Sequence, residues 1–179
     1  MRFERTAFAG LVAVHPERRA DERGYFARTF CVEEFARESL KTGFPQMSVS
    51  FNAKAGTVRG MHYQRDPHAE TKLVRCARGA ILDVVVDLRP DEPTFRQWCG
   101  FELSAENGIA LYIPEGFAHG FQTLTDETEV AYAITPTFVP GAGAGLRWDD
   151  PAINVRWPQP ISVISERDGA WPLLEAVGP

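Results

Sequence analysis

The chain has 179 residues, of which 44% are apolar and 24% charged, and a formal net charge of -5. That length and balance predict one globular domain over residues 1–179, long enough to bury a sizeable core. The acidic balance argues against a broad nucleic-acid or anionic-membrane surface, and no apolar run approaches the length of a bilayer span.

In chain order, the opening stretch MRFERTAFAGLVAVHPERR lacks the apolar core and small-residue cleavage site of a signal peptide. VEEFARESLK, residues 32–41, combines strong helix formers with Phe35 and Leu40 as apolar anchors, and predicts a helix. Downstream the pattern turns to β-structure. KLVRCA and AILDVVVDLR flank Arg78-Gly79, a hairpin signal. FRQWCGFEL, GIALYIP, GFAHGFQTL and TEVAYAIT follow, with breakers such as Glu106-Asn107-Gly108 and Pro114-Glu115-Gly116 between them. Short strands at this spacing predict a mainly β chain, an antiparallel sandwich or barrel. From Leu146 to Pro179 the prolines predict extended segments and turns around Trp148, Trp157 and Trp171. Cys31, Cys76 and Cys99 show no CxxC spacing, which points to reduced thiols and a cytoplasmic setting. Cys76 and Cys99 read as small buried hydrophobes.

Alternate side chains of a strand share a face. Lys72 therefore aligns with Val74 and Cys76, His119 with Phe117 and Phe121, and Tyr132 with Val130 and Ile134. Each row sets one polar residue among apolar ones, the pattern of an apolar interior carrying a few working groups. Arg59 and His62 have opposite parity. If both serve one site, the strand must end, twist or bulge near Gly60.

A histidine can remove a proton near neutral pH, a lysine can stabilise an enolate oxygen, and a tyrosine opposite can return the proton. Together these steps invert a carbon beside a carbonyl. The residues also have plainer readings. His62 and His119 fit hydrogen-bonded structural histidines, and Tyr132 a half-buried strand tyrosine. Lys72 is the hardest to dismiss, because an inward lysine is costly unless paired or used. His15 and His68 lie in turn-like contexts and read as surface residues. Arg23, Arg59 and Arg75 fit either solvated charge or phosphate binding.

The stretches GTVRGMHYQ and PHAETKLVRCARGAILDVVVDLRPDEPTF, followed by LYIPEGFAHGFQTL, EVAYAITPTF and GLRWDDPAINVRWP, resemble the dTDP-4-dehydrorhamnose 3,5-epimerase family. DERGYFARTF near the N-terminus and ISERDGAWPLL near the C-terminus fit as well, so the resemblance runs along nearly the whole chain. It implies a cupin-type jelly-roll with one or a few short helices, usually a homodimer. The implied substrate is a nucleotide-linked 4-keto-6-deoxy sugar, turned over without metal or other cofactor. It implies His62 as the base, Asp168 as its orienting partner, Lys72 as the enolate stabiliser and Tyr132 as the proton donor. Arg59 is implied to bind the diphosphate, with Arg23 reaching in from the neighbouring subunit and Arg167 near the nucleotide. His119 is implied to line the sugar pocket, with Asp83 as its hydrogen-bond partner.

Several positions depart from the family pattern. In PQMSVSFN, Gln46 and Asn52 keep polar groups for substrate binding, but Ser48 stands where an asparagine is expected. Arg28 replaces an acidic residue. Phe138 replaces a base-stacking tyrosine, keeping the aromatic face without the hydroxyl. Gly143, in the glycine-rich VPGAGAGLRW, has no carboxylate to offer. The departures gather on the nucleotide side, whereas the acid–base set is intact. Inversion at carbons 3 and 5 is thus the first reading, and inversion at carbon 3 alone needs the same residues. A metal-dependent cupin is disfavoured, because Tyr63 and Gln64 follow His62 where a His-x-His pair is needed. A non-catalytic nucleotide-sugar-binding module remains as a reading of another class.

Overall fold

The alternating runs fold as antiparallel strands in two stacked sheets. The structure, a computed structural model, describes residues 1–174. Its strands are β1 (Arg2–Arg5), β2 (Val12–His15), β3 (Arg18–Asp21), β4 (Gly24–Ala27), β5 (Gln46–Asn52), β6 (Val58–Gln64) and β7 (Thr71–Arg78). They continue with β8 (Ala80–Asp87), β9 (Trp98–Ser104), β10 (Ala110–Ile113), β11 (Phe117–Thr123), β12 (Thr128–Thr135) and β13 (Gly143–Gly145). Two short helices are α1 (Val32–Arg37) and α2 (Glu166–Gly169). One sheet runs β1-β2-β10-β7-β12-β5, the second β13-β6-β11-β8-β9, and β3-β4 form a separate ribbon. Within β5–β12 the chain switches sheets at every step except β8 to β9. That is the double Greek key of a cupin-type jelly-roll.

The packing is layered. Between the sheets lie Val74, Cys76, Ile81, Val85, Leu111, Phe117, Phe121 and Val130, all buried. On the outer face of the first sheet, Phe35 of α1 and Leu40 pack on Val12, Val14 and Leu73. On the outer face of the second, Leu146, Ile153 and Leu174 of the C-terminal segment cover Met61, Val84, Val86 and Ala118. Strand β8 is buried on both faces for this reason, and each fully buried Val, Leu or Phe contributes about 1.5–3 kcal/mol.

Three expectations are corrected. Arg78-Gly79 is not a hairpin turn, because β7 and β8 belong to different sheets; it is the corner at which the chain crosses between them. Gly79 (φ +76°) suits such a corner, and a Cβ there would fall 2.4 Å from Thr125 Oγ1. The helix expected over 32–41 ends at Arg37. Ser39 takes a left-handed φ of +59°, while the Ser39 N–H donates to Ala36 O and the Leu40 N–H to Phe35 O, closing a Schellman cap. Leu40 still reaches the Phe35 cluster, as its spacing required. Finally, His15 is no turn residue: it ends β2, with Nε2 3.1 Å from the Glu4 carboxylate.

Strands β1 to β4 left no periodic signal, being four residues long and, in β3 and β4, almost wholly exposed. The expected extended segments and turns around Trp148, Trp157 and Trp171 are present, interrupted by α2; positions 175–179 of that expectation lie outside the described residues. Cys76 is buried and Cys99 partly so; burial pushes their thiols up to about 11 and about 12, which keeps both inert.

Candidate active site

Between the sheets opens a cavity of about 350 Å³. Its two walls carry different chemistry. Strands β6 and β11 of one sheet contribute His62 and His119, which face each other in register. Strands β7 and β12 of the other contribute Lys72 and Tyr132; Lys72 pairs with Ile134, and Tyr132 with Val74 two residues away. The Tyr132 ring reaches across to within 6.3 Å of the His119 ring. The inward parity expected for Lys72, His119 and Tyr132 therefore holds.

The parity conflict of Arg59 and His62 is resolved at Gly60. His119 pairs with His62 but Phe121 pairs with Arg59, so three steps along β6 match two along β11. This bulge turns both side chains into the cavity. It requires glycine on both strands: Gly60 has φ +140°, and a Cβ there would lie 2.5 Å from the Gly120 Cα. A Cβ on Gly120 would in turn meet Arg59 O at 2.7 Å.

His62 Nε2 lies 2.7 Å from Asp168 Oδ1. The Asp168 carboxylate also accepts the Trp171 indole N–H at 3.2 Å and, through Oδ2, the Gly60 N–H at 3.2 Å. Burial works against the charge of Asp168, but the bonds from His62, Gly60 and Trp171 outweigh it and hold the carboxyl below the usual aspartate range. An ionised carboxylate at Nε2 keeps the proton there and leaves Nδ1 as the free basic nitrogen. Asp168 is held by α2, whose N-cap Ser165 accepts the Asp168 N–H at 3.1 Å.

On the opposite wall, Lys72 Nζ sits 2.9 Å from Glu70 Oε1, with both side chains only 9% exposed. Tyr132 Oη is 3.3 Å from Ser50 Oγ. Burial pushes the Tyr132 phenol well above its ordinary value, against a smaller opposing effect of Ser50, so it stays protonated at neutral pH. His119 Nε2 bonds the fully buried Asp83 at 2.7 Å, the partner expected for it.

The remaining expected residues divide between the cavity and its supports. Ser48, Arg59, Phe138 and Arg167 line it, and the Arg167 guanidinium lies 5.0 Å from the Trp171 ring centroid. Gln46 and Asn52 stand behind the lining. Gln46 accepts the Phe138 N–H at 2.9 Å, while Asn52 is buried and accepts from Arg59 Nε at 2.7 Å. Arg23 lies outside this cavity, on the exposed β3-β4 ribbon, paired with Asp21. Arg28 pairs with Glu34, and Arg75 points outward from β7. Sequence reasoning missed Glu70, Ser50 and Trp171. Glu70 was open to discovery, because a carboxylate two residues before Lys72, at the entry to β7, is within reach of its ammonium. Among the described residues no three His, Cys, Asp or Glu side chains converge as a metal-ligand cluster.

The family model for dTDP-4-dehydrorhamnose 3,5-epimerase matches residues 5–176. The chain belongs to this epimerase family. A dTDP-4-dehydrorhamnose 3,5-epimerase from Sinorhizobium fredii is 43% identical over 97% of this chain and 90% of its own length. A crystal structure of the epimerase from Bacillus anthracis, with TDP and PPi bound, superposes with a TM-score of 0.94 at 39% identity, covering 97% of this chain and 99% of that one. A dTDP-4-dehydrorhamnose 3-epimerase from Streptomyces niveus is 36% identical over 94% of this chain and 81% of its length. Membership of the epimerase family makes the chain an isomerase.

Proposed function

We propose that the chain epimerises a dTDP-linked 4-keto-6-deoxy sugar at carbons 3 and 5. The observation that carries this reading is the placing of His62–Asp168 on one wall of the cavity and Lys72 with Tyr132 on the other. The 4-keto group acidifies the protons on both neighbouring ring carbons. His62 takes one through Nδ1, and the Asp168 carboxylate stabilises the imidazolium that forms. The electron pair moves onto the 4-oxygen, where the Lys72 ammonium meets the developing charge. Tyr132, still carrying its proton, returns one from the other face and inverts the carbon. One base serves both carbons, because both lie next to the same carbonyl.

The nucleotide end takes the rim. Arg59, held by Asn52 and by Phe51 O at 3.3 Å, binds the diphosphate, and Phe138 stacks on the base with Arg167 beside it. A homodimer completes the site, with Arg23 entering from the partner subunit. Met47, Val49 and Phe51 support this assembly: they form an exposed apolar row on β5, an edge strand. Three free cysteines suit a reducing compartment, the cytoplasm.

Proton NMR of dTDP-4-keto-6-deoxyglucose with the protein in heavy water tests the proposal. Deuterium at carbons 3 and 5 with an inverted product is expected. Exchange confined to carbon 3 would assign the single inversion named for the Streptomyces niveus relative, and no exchange at either carbon would overturn the catalytic reading.

A further inference from the structure

We propose that Glu70 is the positioning residue for Lys72, aiming its ammonium at the sugar. This rests on the reading of Lys72 as enolate stabiliser and adds the residue that makes Lys72 effective. An ammonium has three N–H donors. One goes to Glu70 Oε1 at 2.9 Å and one to His62 O at 3.4 Å. The third is left for the cavity. Two anchors on a flexible four-carbon stem fix the direction of that third donor, which lysine alone would leave free.

Glu70 is itself held. Its Oε2 accepts from Gln64 Nε2 at 3.1 Å, and Gln64 Oε1 accepts the Val139 N–H at 2.9 Å. The chain of bonds therefore runs from the backbone beside Phe138, through Gln64 and Glu70, to Lys72. Every member has one donor–acceptor polarity: Val139 can only donate, so Gln64 must present its amide nitrogen to position 70, where only an acceptor fits. A glutamine at 70 leaves two amide nitrogens opposed, or turns its nitrogen on Lys72. A simultaneous glutamate at 64 restores the polarity throughout, with the carboxylate moved one place along.

The test compares steady-state turnover of dTDP-4-keto-6-deoxyglucose by Glu70→Gln, Gln64→Glu/Glu70→Gln and Lys72→Met variants, with dTDP affinity as a folding control. Glu70→Gln is expected to lower kcat about 10- to 100-fold with KM within about threefold, the size of a misaimed catalytic group. The double variant is expected to recover most of that loss. Wild-type kcat in Glu70→Gln, or a loss that the double variant does not recover, would overturn the proposal. If the single variant does not fold, the double variant decides alone: kcat near wild type supports positioning, and low kcat with intact dTDP binding refutes it. Lys72→Met separates the two layers. If it turns over normally, the enolate reading fails and this proposal with it; if it is inactive while Glu70→Gln is unimpaired, only the role of Glu70 falls.

Discussion

Asp168→Asn is the sharpest test of the acid–base assignment, because the substitution keeps shape and removes one charge. Asp168 Oδ1 accepts from His62 Nε2 at 2.7 Å and from Trp171 at 3.2 Å, while Oδ2 accepts the Gly60 N–H at 3.2 Å. An amide cannot serve both sides. With its oxygen toward His62, its NH2 opposes the Gly60 N–H. Turned over, it donates to Nε2 and drives the imidazole proton onto Nδ1, the nitrogen needed as base. A hydrogen bond to a charged group is worth about 1.5–3 kcal/mol, and the mismatch adds roughly 1 kcal/mol. At about 1.36 kcal/mol per decade, kcat should fall roughly 100- to 1000-fold. Deuterium uptake at carbons 3 and 5 measures this, with dTDP affinity expected within about threefold of wild type. Uptake within about threefold of wild type would refute the claim that Asp168 governs His62. Acid stability gives an independent check. The folded Asp168 carboxyl titrates below its unfolded value, so its stabilisation is complete above the ordinary aspartate range and is lost as pH falls through the depressed value. Asp168→Asn should flatten the acid limb of a stability–pH profile.

Tyr132→Phe removes the proton donor while keeping the ring. It should slow inverted-product formation about 100-fold or more, with dTDP binding retained; an unchanged rate would exclude the phenol. Asn52→Ala releases the Arg59 guanidinium from its 2.7 Å anchor. Its KM should rise about tenfold with kcat nearly unchanged, and a kcat-only effect would place Arg59 elsewhere in the mechanism. Phe51→Asp puts a charge in the exposed apolar row of β5. Light scattering should show a shift from dimer to monomer and turnover should drop with it; a monomeric wild type would remove the partner-subunit role of Arg23.

Much of the site was legible because side-chain alternation is local. The inward placing of Lys72, His119 and Tyr132 followed from period two, and the conflict between Arg59 and His62 pointed to Gly60, where the bulge lies. Asp168 was reached only through the family motif, since 106 residues separate it from His62 and nothing local joins them. The roles of Gln46 and Asn52 behind the lining were not legible either. A polar residue at a strand position reads the same whether it faces substrate or anchors another side chain.

The amino-acid sequence by itself determined the β-rich class, the strand runs after residue 70, the faces they present and the residues able to move a proton. Local sterics and hydrophobic periodicity suffice for these. Only the tertiary structure decided which strands pair. Arg78-Gly79 makes the same tight turn for a hairpin or for a crossing between sheets, and the choice falls to long-range hydrogen bonding and burial between distant strands. It also decided that Asp168 meets His62 and that Asn52 holds the Arg59 guanidinium from the facing sheet. Each depends on what a residue meets across space, which no local pattern encodes.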